Sequence, residues 1–590
     1  MIDWLHPSIY YIFGALLIPF LRGRVQRAYL MLIPVLGVAT VLSMSPGSFW
    51  HYKFLGVTMT FGAVDKLSIV FAYVFTIMSF IGIVYALHVD DSGQHVSAFL
   101  YVGGSLGVTF AGDYFTLFVF WELMAFASVY LVFARRQKAS IKAGYRYILV
   151  HMFGGVCLLG GIILHYLGTK SITVGPVAHD GSLAFYLMLT GVILNAAVPP
   201  LHAWLTDAYP EGTVTGSVFM SAFTTKTAVY VLVRVFPGTE LLVWLGTIMA
   251  LYGVVYAVLE NDSRRLLAYH IISQVGYMVA GVGIGTELSL NGSVSHAFAH
   301  ILYKGLLFMG AGAVIHMTGR SKLTELGGLY KTMPITLVLY MVGGFAISAF
   351  PLFSGFVSKS MVVAGASHDH WPVVALLLTM ASAGTFLHTG LKLPYYMFFG
   401  KDSGIEAKEP PLNMLIAMGM AAFLCIGIGV LPGPLYDLLP YPVHFAPYTG
   451  EHVTNSLGIL LFTGLGFFML LRKLDPEPTI SIDTDWVYRK GSRVFMWLAR
   501  KPIAEGDTYV GDLYNTFFSK YTLSISNFFA RVVDLRGIDG IVNGVAGFFI
   551  SLAGTIRVSA TGLVRNYAVT MLVGGVAIVS YYLLTFLMRL

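Results

Sequence analysis

Residues 241–259 read LLVWLGTIMALYGVVYAVL, a run of apolar and small residues that contains no charged side chain. A helix needs about 20 such residues to cross the hydrocarbon core of a bilayer. Two further uncharged runs, at 71–87 and 570–587, lie far from the first along the chain. A soluble core does not need apolar stretches of this length, so these runs predict a membrane protein.

The composition of the whole chain agrees with this prediction. Of the 590 residues, 57% are hydrophobic and 11% are charged, whereas a soluble domain carries about 25% charged residues. The net charge of +7 would point to nucleic acid in a soluble chain. Here Lys and Arg lie in short loops between apolar runs, which is typical of membrane topology, and we expect no nucleic-acid partner. Cys157 and Cys425 lie in apolar segments and offer neither a disulfide framework nor a metal cluster.

The hydropathy pattern predicts an all-α polytopic protein, because only helices satisfy their own backbone hydrogen bonds in lipid. We count sixteen spans, at 7–22, 26–44, 63–88, 96–112, 113–134, 142–167, 182–206, 211–236, 240–260, 263–285, 293–316, 333–365, 371–400, 411–432, 453–472 and 567–588. We interpret the first as a retained helix and not a signal peptide.

The basic side chains occupy alternate loops of this topology. They are Arg22, Arg24, Arg27, Arg135, Arg136, Lys138, Lys142, Arg264, Arg265, Arg320, Lys322, Lys331, Lys401 and Lys408. The positive-inside rule then places the N-terminus outside the inner (plasma) membrane and segment 473–566 in the cytoplasm.

Two spans contain proline in mid-membrane. One reads NAAVPPLHAW from Asn195 to Trp204, and the other reads SAFPLFSGFVSK from Ser348 to Lys359. Proline removes an intrahelical hydrogen bond and breaks a helix. Interrupted helices in corresponding positions favour an internal repeat with a transport path at the breaks. The alternative is an ordinary proline kink.

Segment 473–566 has a different pattern from the bundle. After a polar opening, apolar residues recur at steps of three and four from Phe517 to Ile556, with polar residues between them. This pattern predicts an amphipathic helix lying flat at the membrane surface. Gly537, Gly540 and Gly544 are possible interruptions.

Isolated ionisable residues lie inside the apolar runs. Glu122, Lys226 and Lys359 are the clearest cases, and each mid-membrane charge costs about 2.5–3.5 kcal/mol on insertion scales. A structural ion pair or a snorkelling side chain is the alternative for each. Snorkelling suits Lys392, which lies near the end of a span. It does not suit Glu122, because about ten residues separate Glu122 from either end of a span of about 20 residues.

His296, His300 and Lys304 follow each other at intervals of four residues. Steps of four advance about 40° on a helix, so the three share one face. Imidazoles and a desolvated amine suit proton relay. Metal ligation by the two histidines and a structural histidine pair are the alternatives, although no zinc motif accompanies them. We find no motif for a flavin, nicotinamide or iron–sulfur centre, and predict no cofactor, no metal and no redox chemistry in this chain.

Several motifs resemble the antiporter-like family, which includes the proton-pumping membrane subunits of respiratory complex I and the A-type and D-type subunits of Mrp sodium/proton antiporters. They are Phe118–Met124, 200–208, 225–228, 264–277 and 296–304. The core, over spans 4 to 13, looks closest to the D-type member of the Mrp antiporters. The tail resembles the L-type subunit of complex I, in Val533-Asp534, 537–540, Asn543-Gly544 and Tyr567-Ala568.

The resemblance implies two inverted five-helix repeats, each with one broken helix. It also implies a domain order of N-terminal helices (1–95), antiporter-like core (96–400), additional helices (401–472), linker and lateral amphipathic helix (473–566) and final helix (567–590).

The resemblance further implies site roles. Glu122 and Lys226 would form the charged pair of the first repeat, the row from His296 to Lys304 the central axis, and Lys359 the exit side of the second repeat. One departure is that Asn195 stands where the family usually has lysine. Lys226 or His202 would then substitute, or the chain couples differently.

We therefore predict an ion-translocating subunit, for H⁺ or Na⁺, of a complex I-like, hydrogenase-like or Mrp-type assembly. As such it could belong to a proton-translocating oxidoreductase without carrying a redox centre. Its partners would be the bilayer and other membrane subunits, strapped by the lateral helix. A stand-alone transporter for a small solute and a structural scaffold are the alternatives.

Overall fold

The computed structural model describes residues 5–54, 56–478, 483–516, 520–529, 539–559 and 562–588. It divides into two compact units, Met1–Ser481 and Ile482–Leu590. The helices of the first unit are α1 (Pro7–Leu17), α2 (Gly23–Ser43), α3 (Lys66–Ala86), α4 (Ser92–Phe110), α5 (Tyr114–Phe133), α6 (Lys138–Thr169), α7 (Leu183–Asn195), α8 (Ala203–Ala208), α9 (Val214–Ala222), α10 (Thr224–Val235), α11 (Glu240–Leu259), α12 (Ser263–Ile284), α13 (Glu287–Thr318), α14 (Pro334–Ile347), α15 (Ser354–His368), α16 (Pro372–Thr385), α17 (Leu412–Val430), α18 (Gly433–Leu438) and α19 (Gly450–Met469).

The helical membrane architecture is confirmed. Within the described ranges, twelve helices are long and apolar enough to cross a membrane. The other four predicted spans coincide with α1, with α4 and with the interrupted pairs α7/α8 and α14/α15. Twelve of the sixteen predicted spans thus coincide with helices long and apolar enough to cross a membrane. After α16 the chain continues as two π-helical segments, Phe386–Lys392 and Tyr395–Phe399.

Helix α13 lies at the centre of the first unit. Every residue from Ser289 to Val314 is buried, although this stretch contains histidines, a lysine and several hydroxyl side chains. A membrane helix with polar residues belongs inside the bundle, away from lipid. The predicted row therefore lies in the protein interior.

Both proline-containing spans are broken, as predicted, and the two breaks share one feature of the backbone. Ala197 and Ala349, each the second residue after its helix, have φ angles of +59° and +57°. Near Ala349, a Cβ on Gly355 would lie 1.8 Å from the Ala346 carbonyl oxygen. Glycine at this position thus lets the start of α15 approach the end of α14.

An antiparallel β-hairpin, which the sequence analysis did not predict, lies between α2 and α3. It comprises β1 (Gly47–Phe54) and β2 (Val57–Val64). The hairpin docks on α5 because Asp113, which caps that helix, accepts a hydrogen bond from Thr60 N at 2.7 Å. At the same end, Asp65 pairs with Arg234 of α10.

The opposite end of the bundle carries basic loops. Arg135 donates to Glu211 Oε2 at 3.2 Å, and Arg264 donates to the Gly212 carbonyl at 2.9 Å. Since both arginines contact the same connection between α8 and α9, two of the predicted basic loops share one end of the bundle.

The described part of the second unit is mainly helical. Its helices are α20 (Asp485–Leu498), α21 (Ala504–Tyr514), α22 (Lys520–Phe529), α23 (Asp539–Ser559) and α24 (Val564–Leu587). Gly540 and Gly544 do not interrupt the pattern, because both lie within α23.

The apolar stripe predicted for this tail is exposed at the positions that the structure describes. Tyr521 is 75%, Ile525 61% and Phe549 58% exposed. Other predicted positions and tail motifs lie outside the described residues or have side chains outside them, namely Phe517, Phe528, Val532, Val533, Asp534, Leu535, Gly537, Ile538, Val542 and Ile556.

Candidate functional site

Glu122 lies on α5 and faces α6. A Cβ on Gly155 of α6 would lie 2.0 Å from Glu122 Oε1, so the carboxyl group occupies the space that the missing side chain leaves. Oε1 is buried and accepts no hydrogen bond from any described residue. The sequence of α5 is almost uniformly apolar, so it does not show which helix the face carrying Glu122 contacts.

Lys226 lies in the first turn of α10 and is fully buried. Its Nζ donates to the Ser221 carbonyl at 2.5 Å, on the preceding helix α9. A discontinuity at Phe223 separates these two helices, whereas we expected one continuous span. Among the described residues Lys226 forms no ion pair with Glu122, so the direct pair implied by the resemblance is not formed. The two side chains face different neighbours.

The row on α13 is continuous and enclosed. His296, His300 and Lys304 are all fully buried. His296 Nδ1 and Ser358 Oγ of α15 are hydrogen-bonded at 3.0 Å, and the His296 and His300 rings lie 6.3 Å apart. Both nitrogens of His300 and Nζ of Lys304 have no partner in the part of the chain that the structure describes.

Lys359 reaches back across the second helix break. Its Nζ donates to the Ile347 carbonyl, at the end of α14, at 2.8 Å. The same nitrogen lies 5.2 Å from the centre of the Tyr277 ring. Lys359 follows Ser358, the partner of His296, so α15 joins the break to the central row.

His270 and His388 extend the row beyond the predicted residues. Their rings lie 6.3 Å apart, on α12 and on the first π-helical segment. Both nitrogens of His270 are buried without a partner among the described residues. The sequence signal for His388 was its spacing of four from Lys392. The contact with His270, 118 positions earlier, could not be inferred.

Lys392 does not snorkel towards the membrane surface. It is 3% exposed, and its Nζ donates to the Val258 carbonyl at 2.6 Å. An ammonium group at the C-terminal end of α11 is favoured because the helix dipole is negative there. Lys392 therefore ends the row of buried basic groups near a helix terminus.

The two remaining candidates, His202 and Asn195, contact different helices. His202 is buried and its ring lies 4.8 Å from that of Tyr252 on α11. Asn195 instead accepts a hydrogen bond from His151 of α6, with 2.9 Å between Oδ1 and Nδ1. His151, one of two histidines on α6, was not among the predicted site residues.

The described residues contain no group of three His, Cys, Asp or Glu side chains that could hold a metal ion. The titratable groups of the row are imidazoles and amines, and a carboxyl group, Glu122, faces α6. Imidazole, amine and carboxyl groups are common proton donors and acceptors in proteins.

Part of the chain matches a known family. The model described as NADH:quinone oxidoreductase/Mrp antiporter, TM, matches residues 111–385. An uncharacterized protein of Methanocaldococcus jannaschii is 31% identical over 351 residues, which cover 55% of this chain and 72% of that protein. Na(+)/H(+) antiporter subunit A1 of Staphylococcus haemolyticus is 28% identical over 76% of this chain, which spans only 64% of that subunit.

Solved structures share the fold. A chain of the membrane-bound sulfane sulfur reductase, an archaeal respiratory membrane complex, matches with a TM-score of 0.68 and 22% identity, over 93% of this chain and 99% of that chain. A chain of the Mrp complex from Dietzia sp. DQ12-45-1b matches with a TM-score of 0.65 and 23% identity, over 77% of this chain and 99% of that chain.

Proposed function

Because this chain belongs to the NADH:quinone oxidoreductase/Mrp antiporter transmembrane family, we propose that it moves H⁺ along its buried ionisable side chains as a subunit of a larger membrane complex. The observation that carries the proposal is the row on α13. There His300 and Lys304 are fully buried without a hydrogen-bond partner among the described residues. An unpaired buried polar group costs about 1–3 kcal/mol. Such a cost is expected where groups must gain and lose charge.

The arrangement of the basic groups supports a connected path. His296 is hydrogen-bonded to Ser358, which precedes Lys359 on α15, and the rings of His296 and His300 lie 6.3 Å apart. At such separations a proton that charges one group changes the cost of charging the next, and a proton relay requires this coupling. We assign this path to the core segment 96–400.

The chemistry of the row favours H⁺ over Na⁺. Hard metal cations prefer several oxygen ligands, whereas the row consists mainly of imidazole and amine nitrogens at His296, His300, Lys304 and Lys359. Nitrogen groups of this kind exchange protons readily. Replacing Na⁺ by K⁺ or choline in the assay medium should therefore leave the flux unchanged, and strict dependence on Na⁺ would contradict the assignment.

The tail fits a subunit of a larger complex. Tyr521, Ile525 and Phe549 expose most of their surface, and a row of exposed apolar side chains marks an interaction surface. We assign this surface to neighbouring membrane subunits, with segment 473–566 as a strap across them. Two of the solved structures that match are chains of larger complexes.

The positive-inside rule orients the subunit in the plasma membrane. The basic loops at Arg135 and Arg264 share one end of the bundle, and we assign that end to the cytoplasm. The N-terminus then lies outside. The β-hairpin, which docks at the end that carries Asp113, would face outwards.

The test is H⁺ flux in vesicles that contain the assembled complex, with Lys359→Met and Glu122→Gln. Both changes keep most of the side-chain volume and remove the titrating group. We expect a large loss of flux with normal assembly, while Lys138→Met, which changes an exposed lysine at the start of α6, behaves as the parent.

The same assay distinguishes the alternatives. Near-normal flux in both assembled variants would refute the relay and favour a scaffold. Full activity of the purified chain without partners would favour a stand-alone transporter. Equal loss of assembly in both variants would mean that these side chains hold the fold.

A further inference from the structure

The imidazole of His151 lies at the first helix break. His151 is 1% exposed, and its Nδ1–H donates to Asn195 Oδ1 at 2.9 Å. Asn195 is the last residue of α7. His151 Nε2 and Asn195 Nδ2 are both buried and have no partner in the described part of the chain. A proton-accepting nitrogen is thus enclosed at the point where the helix ends.

Two aromatic rings fix the orientation of this imidazole. The ring centre of Tyr147 lies 4.2 Å away, and that of Trp204 lies 4.5 Å away. Trp204 is itself held across the break, because its Nε1 donates to the Leu194 carbonyl at 2.9 Å. The hydrogen bond to Asn195 and these two rings leave Nε2 as the exchangeable position.

His151 also lies one turn from the place where α6 packs against Glu122. Gly155, against which the Glu122 carboxyl group packs, is one turn along the same face of α6, about 6 Å along the axis. Tyr147 is one turn in the other direction, and its hydroxyl group is hydrogen-bonded to Ser128 Oγ of α5 at 2.7 Å.

We propose that His151 is the proton-exchanging group of the first half of the path, with Asn195 as its positioning residue. This inference rests on the proposed function. The protonated Glu122 carboxyl group gives up its proton, and Nε2 of His151 accepts it, forming an imidazolium whose Nδ1–H stays bonded to Asn195. The imidazolium then loses the proton from Nε2 to the neutral amine of Lys226. Only O–H and N–H bonds form and break, and no electrons are exchanged.

The pair also accounts for asparagine at position 195. A lysine at this position would bring an ammonium group close to His151, and like charges at short range disfavour each other's charged forms. Asn195 offers an acceptor without a charge. One positively charged side chain can therefore be placed at this break in two ways, by a histidine on α6 or by a lysine at the end of α7.

The test is H⁺ flux in vesicles that contain the assembled complex, with His151→Gln, Asn195→Lys and the double variant. We expect each single variant to lose at least tenfold in flux with normal assembly. The double variant should recover at least a third of the parent flux, because one amine replaces one imidazole. His179→Gln, which changes an exposed loop histidine, is the matched control and should leave the flux unchanged.

The outcomes separate this inference from the proposed function. Flux within twofold of the parent in His151→Gln, while Lys359→Met is inactive, overturns the role of His151 alone. If Lys359→Met keeps its flux, the proposed function itself fails. If the double variant has no more flux than either single variant, the inference is overturned. Loss of assembly in both His151→Gln and the double variant also overturns it, because the pair would then serve packing.

Discussion

Gly155→Ala tests the position of the Glu122 carboxyl group without touching an ionisable residue. The new methyl group would lie 2.0 Å from Oε1, and ordinary contact begins at 3.4 Å, so the carboxyl group must move by about 1.4 Å, the difference between these distances. Alanine favours the helix over glycine by up to about 1 kcal/mol, so α6 itself should not be weakened.

The expected result is a loss of flux with intact assembly. A misplacement of about 1 Å can cost on the order of 100-fold in a transfer step, and we expect Gly155→Ala to lower H⁺ flux by about 10- to 100-fold. The assay is H⁺ uptake by vesicles containing the assembled complex. Gly160→Ala is the matched control, because its methyl group would meet only Leu187, at 3.8 Å.

A second change checks the direction of the displacement. Glu122→Asp removes one methylene and draws the carboxyl group back by about 1.5 Å, close to the shift that the methyl group imposes. Combined with Gly155→Ala, it should restore part of the flux. Equal flux in Gly155→Ala and Gly160→Ala would refute the placement of Glu122 against α6.

Three other predictions concern the topology, the tail and the ends of the helices. With Cys157 and Cys425 replaced by alanine, a membrane-impermeant thiol reagent should label Lys53→Cys from outside intact cells and should not label Lys138→Cys. The reverse pattern would show that the protein has the opposite orientation. Ile525→Asp with Phe549→Asp should loosen partner subunits in detergent, while Ser524→Asp should not; equal retention would argue against the strap. Burial alone would raise the pKa of Asp65, but Arg234 and Ser68 hold that pKa below its ordinary value, so its contribution is present at neutral pH and lost as the pH falls through the folded pKa. Because the Asp65 side chain is 47% exposed, Asp65→Asn should lower the free energy of unfolding by only about 0.5–1 kcal/mol at pH 7. The difference in melting temperature between this variant and the parent should shrink as the pH falls below about 4, the ordinary range of a carboxyl group. A difference that stays constant with pH would mean that the ion pair does not contribute.

The sequence predicted what depends on local pattern. Long apolar runs identified the helices, and proline identified both breaks. The spacing of His296, His300 and Lys304 identified a row that is buried as expected. Each of these features depends on residues within a few helical turns of each other, and it can be predicted from the geometry of a single helix.

The missed features depend on tertiary contact or on ambiguous local signals. The strands Gly47–Phe54 and Val57–Val64 are short, and their apolar residues resemble the start of a membrane helix. The discontinuity at Phe223 contains neither proline nor glycine to mark it. The contact between His151 and Asn195 joins positions 44 apart and depends on how α6 packs against α7, which a nearly uniform apolar sequence does not encode visibly.

The central claim is that the buried row exists for ion transfer and not for stability, and Lys304→Met tests it most directly. Nζ of Lys304 is fully buried and has no hydrogen-bond partner among the described residues, so its removal should relieve an unpaired polar group worth about 1–3 kcal/mol. Thermal unfolding and H⁺ flux are measured on the same assembled complex. The account predicts a melting temperature equal to or above that of the parent, together with loss of flux. A lower melting temperature with flux retained would contradict it.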